Sequence, residues 1–305
     1  MTSLLIGTRN GLFGLENGAA PVPDPSLGAQ DVTAVDVGPG GEVRAVVDRH
    51  AIVGRDAGGT WRKLARSDDL AIDCVLSTPT GVLAGTDEAH VLRLADDGSF
   101  ERDGSFDAIE GRDAWYTPWG GPPAVRSMAV DLAGRIHANV HVGGIPRSGD
   151  GRASWEPTIE IDADIHQVIA HPTQADIVLA AGAVGLAISE NGGTSWRIEA
   201  DGLHSSYARA VAVAGDTILL TAATGPHGGR GAVYRIPIEG IAFEKCADGL
   251  PGWFDGNIDS GWLVADGAAV AFGTSTGDVF LSEDEGRTWG RAAEGLPQIR
   301  ALAFG

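Results

Sequence analysis

Short apolar stretches recur along the whole chain, and seven of them share one design, in which a polar residue follows the first apolar position. The runs are VTAV at 32–35, IDCV at 72–75, VRSM at 125–128, IHQV at 165–168, ARAV at 208–211, IDSG at 258–261 and IRAL at 299–302. Their polar residues are separated by 40, 53, 40, 43, 50 and 41 positions. A fixed period of about 40 to 50 residues is typical of propeller blades, so the pattern predicts seven blades.

Each blade is read from the stretches that follow such a run. After most runs comes a turn, then a second strand such as VLAGT at 82–86, then a third strand such as DVFL at 278–281. This is the strand order of a propeller blade. The sequence therefore predicts an all-β fold, a seven-bladed β-propeller of four-stranded antiparallel blades, as a single domain over residues 1–305.

The two ends of the chain complete one blade together. The last run has nothing after it, whereas residues 3–15 match second and third strands. We expect these segments to pair, because closure of the ring removes the free sheet edges of an open array. The predicted inner strands lie near 32–37, 71–76, 125–130, 165–170, 208–213, 258–264 and 299–304.

A motif at the turn after the third strand supports the repeat independently. Residues 282–289 read SEDEGRTW and fit S-x-D-x-G-x-T-W at every fixed position. Weaker copies are GRDAGGTW at 54–61, SGDGRASW at 148–155 and SENGGTSW at 189–196. Each Trp follows the polar residue of its blade by 28 to 30 positions. We expect the Asp or Asn oxygen to accept backbone N–H groups of the turn and the Trp to pack beneath it.

On these motifs the chain resembles the Asp-box (BNR) repeat β-propellers, a superfamily that includes sialidases and other glycoside hydrolases, photosystem II assembly factors and sortilin-type receptor domains. The resemblance covers the whole chain. It implies the fold, and it leaves the function open because enzymes and scaffolds share the repeat.

Composition narrows the classes of partner. The 45 glycines suit short strands and tight turns, and no apolar stretch is long enough to span a membrane. A net charge of −19 disfavours nucleic acid and anionic lipid as partners. The two cysteines form no disulfide framework, and the N-terminus lacks a basic signal region, so we expect a cytoplasmic protein.

The candidate site is the mouth of the central channel, where the polar residues that open the inner strands form a ring. These ring residues are Thr33, Asp73, Arg126, His166, Arg209, Asp259 and Arg300. Long loops at 114–123, 224–231 and 251–257 belong to the same face, and loops on a rigid scaffold commonly carry function. They add Trp115, Trp119, His227, Arg230 and Trp253, while Tyr207 and His141 lie at strand ends nearby.

We interpret this face as a binding site for a small anionic or polyhydroxylated, sugar-like ligand. One form of this hypothesis adds that the protein hydrolyses or isomerises the ligand. Arginines 126, 209, 230 and 300 would hold the anion, and the tryptophans would stack on the ligand. His166 with Asp259, and Asp73 as a further carboxylic acid, are the candidate acid and base. No cofactor is expected.

Other interpretations of the same residues stay open. The ring can instead be a set of salt bridges, with Asp73 pairing with Arg126 and Asp259 with a neighbouring arginine. The loop aromatics can simply plug the mouth. The protein would then be a non-catalytic scaffold that binds another protein.

A metal is the weaker explanation of the histidines. His137, Asn139 and His141 alternate on one face of a strand and, with His166 or His227, would offer ligands. Hydrogen-bonded polar side chains explain them as well, so the sequence assigns no metal.

The comparison with sialidases implies three arginines around a substrate carboxylate, a role that Arg126, Arg209 and Arg300 would fill, with Asp259 or Asp73 as the general acid. The departures argue against that activity. The RIP sequence at 235–237 falls on an outer strand, and no Glu is evident beside Tyr207.

Overall fold

The computed structural model describes residues 3–16, 18–56, 58–118 and 120–305. Trp119, and Ala57 of the motif at 54–61, lie outside the described residues. In the described part of the chain the strands form seven antiparallel sheets of four strands each. The prediction of an all-β, seven-bladed β-propeller is confirmed.

The strand bounds follow the repeat. The first fourteen are β1 (Ser3–Thr8), β2 (Gly11–Glu16), β3 (Val22–Pro23), β4 (Val32–Val37), β5 (Val43–Val47), β6 (Ala51–Arg55), β7 (Trp61–Arg66), β8 (Ile72–Thr78), β9 (Gly81–Thr86), β10 (Val91–Leu94), β11 (Phe100–Arg102), β12 (Val125–Val130), β13 (Ile136–Val140) and β14 (Pro146–Ser148). The others are β15 (Glu156–Pro157), β16 (Ile165–Ala170), β17 (Val178–Gly182), β18 (Gly185–Ser189), β19 (Arg197–Glu199), β20 (Tyr207–Ala214), β21 (Thr217–Ala223), β22 (Ala232–Pro237), β23 (Glu244–Lys245), β24 (Leu263–Asp266), β25 (Ala269–Gly273), β26 (Val279–Ser282), β27 (Gly290–Ala293) and β28 (Ile299–Phe304).

Blades one to six run in chain order, from β4–β7 to β24–β27, and the seventh is composite. In the seventh blade β28 pairs antiparallel with β1, in a register that joins Leu4 to Phe304 and Ile6 to Leu302. Inner strands of successive blades contact one another around the ring, including β28 with β4. Closure by the two termini is therefore observed, and β1 has a partner on both of its edges.

Helices are few and short in the described residues. They are α1 (Gly104–Asp107) and two single 3-10 turns, Arg112–Ala114 and Ile161–Ala163. No helix in this part of the chain has the length and apolar character that a membrane crossing requires.

The core lies between the sheets. The middle strands carry it: all seven residues of β21 and all five of β17 are buried. Side chains of both faces of such strands pack against neighbouring blades, which explains their continuous apolar sequence.

The inner strand of the sixth blade departs from the predicted 258–264, because it begins at Leu263. Before it, the Ser260 hydroxyl donates to the carbonyls of His166 at 3.0 Å and Arg209 at 2.9 Å. Gly261 then turns the chain with φ of +76°. The segment joins the fourth, fifth and sixth blades instead of extending the strand.

The four motif turns share one hydrogen-bond pattern. In the full match, Asp284 accepts from the backbone N–H of Thr288 at 2.9 Å and from its hydroxyl at 2.7 Å. Asp56, Asp150 and Asn191 accept the backbone N–H four residues ahead in the same way. Slight burial opposes ionisation, but these bonds outweigh it and hold the pKa of Asp284 at about 2. The motifs thus brace turns between the third and fourth strands.

Trp289 closes the best of these turns and is 6% exposed. Its ring packs edge-on against Phe272 at 5.0 Å, and its Nε1 donates to the Gly286 carbonyl. Replacement by Ala should lower the free energy of unfolding by about 3 kcal/mol or more, because a large cavity remains. Trp61→Ala, at a half-exposed motif Trp, is the matched control and should cost less in urea denaturation. Equal losses in the two variants would contradict this packing role.

Deletion of residues 299–305 removes β28 and leaves β1 as an open edge. We expect the truncated protein to aggregate or oligomerise, since an unpaired edge strand templates association. Removal of Gly305 alone is the control and should leave a monomer. Size-exclusion chromatography with thermal melting checks this, and a cooperative monomeric truncation would show that closure is dispensable.

Candidate functional site

A β-bulge places the polar residue of the inner strand in six of the seven blades. The pairing register skips Thr33, Asp73, Arg126, His166 and Arg300, and in β20 it skips Arg209 together with its neighbour. A bulged residue is left out of the ladder, and its side chain can be re-aimed. In these six blades the bulge thus frees a polar residue from the alternation of core-facing and outward-facing positions along the strand.

Asp164 lies between two histidines. His141 Nε2 is 3.1 Å from Asp164 Oδ1, and His166 Nε2 is 3.6 Å from Asp164 Oδ2. His141 and His166 are 3% and 0% exposed, and their ring centroids are 5.7 Å apart. The sequence predicts His166 and Asp259 as a candidate acid and base, whereas the carboxylate nearest to His166 in the structure is that of Asp164.

The pKa values of Asp164 and His141 are both shifted by their surroundings. Burial opposes ionisation of Asp164, but the neighbouring rings of His141 and His166 outweigh it and hold the pKa of that carboxyl below its usual value. Burial, helped by the nearby Arg126 charge, lowers the pKa of His141. The carboxylate is therefore ionised at neutral pH, and the His141 ring is biased towards its neutral form.

Asp164 escaped the sequence analysis because it lies in a loop, one residue before β16. It caps the 3-10 turn Ile161–Ala163 and has a left-handed backbone with φ of 45°. Asp adopts that conformation more readily than most residues. The available signal was an Asp two positions before His166, outside the repeating run.

The ring arginines differ in their partners. Arg300 binds both carboxylate oxygens of Asp31, at 3.2 and 3.3 Å. Arg209 Nη1 lies 3.6 Å from Asp259 Oδ1 and above the Tyr207 ring at 5.4 Å. Asp73 pairs with Arg49, which the sequence analysis missed, and not with Arg126. The salt-bridge interpretation therefore holds for part of the ring.

Arg126 has no ion pair with any carboxylate in the described residues. Burial, followed by repulsion from Arg209, lowers the pKa of its guanidinium. The carboxylates of Asp73, Asp259 and Asp164 act on it only through longer-range attraction. Arg126 is thus a partly buried cation whose hydrogen-bond donors remain available.

Tyr207 joins the histidines to Arg209. Its ring lies 4.9 Å from that of His166, and burial raises the pKa of its hydroxyl. The phenol is consequently protonated at neutral pH and can donate a hydrogen bond. We refer to the resulting group as the channel cluster: Arg126, His141, Asp164, His166, Tyr207, Arg209 and Asp259.

The loop aromatics contribute less than the sequence predicts. Trp115 is 8% exposed and packs on Phe106 at 5.9 Å, with the Arg112 guanidinium over its ring. It belongs to the hydrophobic core and is not available to stack on a ligand, contrary to the sequence-based assignment. The assignment of Trp119 falls outside the described residues.

Trp253 forms a separate group with cations. Lys245 Nζ and the Arg230 guanidinium lie 3.7 and 4.5 Å from its ring centroid, and the His204 ring lies 4.7 Å away. Trp253 remains 37% exposed. Arg230 is therefore placed beside Trp253, and no direct contact joins it or the exposed His227 to the channel cluster among the described residues.

The remaining histidine of the candidate metal face has its own partner. His137 Nε2 lies 3.2 Å from Asp131 Oδ2, and Asp131 also pairs with Arg135. The hydrogen-bonded interpretation thus fits His137. The fully buried Asn139 amide finds no hydrogen-bond partner among the described residues.

A cleft of about 1020 Å³ lies away from this chemistry, between the sixth and seventh blades. Leu15, Leu281, Asp284, Trp289 and Phe304 are among its lining residues. Asp284 is already bonded within its turn. None of the residues that line the cleft belongs to the channel cluster.

Solved structures of other proteins share the fold. A GH74 xyloglucanase from Xanthomonas campestris is 18% identical, with a TM-score of 0.59, over 85% of this chain and 45% of that chain. Virginiamycin B lyase from Staphylococcus aureus is 13% identical, with a TM-score of 0.60, over 85% and 83% of the two chains. YCF48 from Cyanidioschyzon merolae is 19% identical, with a TM-score of 0.59, over 88% and 86%.

The present chain spans less than half the length of the xyloglucanase. No family model and no curated protein matches the sequence. Identities this low carry the fold and leave activity undetermined. Strand order, ring closure and these likenesses together identify the chain as a seven-bladed β-propeller.

Proposed function

We propose that the channel cluster binds a small anionic ligand, such as a sugar acid, and that Arg126 is its principal receptor. The observation that carries the proposal is the missing ion pair of Arg126 in the described residues, since Asp73 is taken by Arg49. A partly buried guanidinium without a carboxylate partner favours an anion from solution.

A second positive charge near Arg126 favours anion binding further. Arg209 lies close enough to lower its pKa, so two positive charges share the mouth. Asp259 is 3.6 Å from Arg209, a separation that leaves the pair loose. A carboxylate or phosphate placed between the arginines would relieve their repulsion and accept bidentate hydrogen bonds.

Tyr207 supplies a neutral donor to the same ligand. Its protonated hydroxyl suits an oxyanion or a sugar hydroxyl, and its ring already lies beneath the Arg209 guanidinium. His141 and His166 add polarity on the adjoining side. Hydrolysis or isomerisation of the ligand would need proton transfer, for which the His–Asp–His group is the nearest set of side chains.

A protein partner is the second candidate. Tyr116 and Trp253 are 46% and 37% exposed on loops predicted to lie at this face, and large exposed aromatics are common at protein interfaces. The propeller fold suits either function, because a xyloglucanase, a lyase and YCF48 all share it. A scaffold of this kind would not need a small anion.

Thermal shift with glucuronate, phosphate, succinate and citrate tests the proposal on metal-free protein. At 100 times Kd a ligand adds about 2.7 kcal/mol of stability, so at least one anion should raise the Tm of the wild type by several degrees. Arg126→Met should abolish that shift, because it removes the receptor charge.

Arg300→Met is the matched control. It strands Asp31 and should lower the Tm, yet keep the anion-induced shift. A wild type that no anion stabilises, or an Arg126→Met variant with an unchanged shift, would refute the proposal and favour the protein-binding alternative.

A further inference from the structure

We propose that His141, Asp164 and His166 form a binding site for a divalent first-row transition metal ion, for which zinc is the probe. The three residues offer one ligand atom each, and these atoms lie within 4.8 Å of one another. The site goes beyond anion binding by Arg126, because it uses three other residues of the channel cluster.

The spacing fits a shared metal. Zinc binds His nitrogen and carboxylate oxygen at about 2.0–2.2 Å, so tetrahedral ligands lie roughly 3.3–3.5 Å apart. Two of the separations here are 3.1 Å, from His141 to Asp164, and 3.6 Å, from His166 to Asp164. Small side-chain rotations would bring all three atoms to bonding distance.

The orientation of His166 is an independent indication. Its Nδ1 lies 2.6 Å from the Ala208 carbonyl, which can only accept, so Nδ1 carries the proton. Nε2 of the neutral ring is then a bare lone pair. It is buried, has no hydrogen-bond partner in the described residues and faces a carboxylate oxygen at 3.6 Å.

Two acceptors facing each other in a buried site require a positive species between them. Metal-binding histidines usually donate their other N–H to a carbonyl or a carboxylate, as His166 does to Ala208. The alternative is a proton on Nε2, which would make His166 an imidazolium paired with Asp164. The two explanations differ in whether a metal binds.

The backbone holds these ligands firmly. Asp164 has φ of 45°, and its carbonyl accepts from the Ala183 N–H at 3.0 Å. The His141 N–H donates to the Ala124 carbonyl at 2.9 Å. His166 is the bulged residue of β16. Ligands fixed in this way lose little entropy on binding a metal.

The donor set defines the class of ion. Two imidazoles and one carboxylate suit zinc, iron(II), cobalt(II) or manganese(II), whereas calcium and magnesium prefer all-oxygen sites. Three protein ligands leave coordination positions for water or a ligand oxygen. The charge of Arg126 opposes the metal, and the carboxylates of Asp164, Asp259 and Asp73 offset it.

Isothermal titration of chelator-treated protein with zinc chloride tests the site in buffer free of oxyanions. The wild type should bind one zinc ion per chain. Asp164→Asn and His166→Gln should each weaken binding at least about 100-fold, since even loss of an outer-shell partner costs 10- to 100-fold. His90→Gln is the control, because His90 forms a His–Asp pair with Asp107 at 2.7 Å elsewhere, and it should bind zinc as the wild type does.

Cobalt(II) gives a readout that does not depend on variants folding. Bound to wild-type protein, it should show visible ligand-field bands of a nitrogen and oxygen site that zinc abolishes. A wild type that binds neither zinc nor cobalt stoichiometrically overturns the proposal and leaves the imidazolium explanation. Zinc binding retained within threefold in both ligand variants overturns it as well. Because no oxyanion is present, this failure is distinct from a failure of anion binding.

Discussion

A β-bulge in the inner strand determines which polar side chain leaves the strand ladder in six of the seven blades. Without the bulge, the strict alternation of a β-strand would fix the face of the sheet on which that side chain lies. The register skips the polar residue in β4, β8, β12, β16 and β28, and in β20 it skips Arg209 with its neighbour. Charged side chains at the bulges of the second, third and fifth blades come close enough to act on one another electrostatically.

Charged side chains that lie close together need partners of opposite charge, and the ring residues differ in whether they have one. Arg300 and Asp73 find partners outside the ring, in Asp31 and Arg49 of the first blade, so these ion pairs join neighbouring blades. Arg126 is left without one in the described residues, close to a second arginine. In the same cluster, two histidines flank the carboxylate of Asp164. One half of the cluster thus demands an anion and the other a cation, an arrangement expected of a ligand site and costly for a purely structural one.

The repeat made the fold predictable, because blade count, strand order and terminal pairing all follow from one period. It failed where residues depart from the period. In the sixth blade IDSG matches the other runs, yet Ser260 bonds to two earlier blades and the strand starts later. Asp164 comes from a loop that the period does not cover. Trp115 shows a further limit of prediction from the sequence, because an aromatic residue in a loop gives the same pattern whether it fills the core or lines a pocket.

The central claim is that Arg126 is a receptor for an anion that the protein does not itself supply. A crystal structure grown in phosphate at high resolution tests it most directly. The account predicts tetrahedral density within about 3 Å of the Arg126 guanidinium, at charge-assisted hydrogen-bond distance. An Arg126 side chain paired with Asp73, with water alone at the channel mouth, would contradict it.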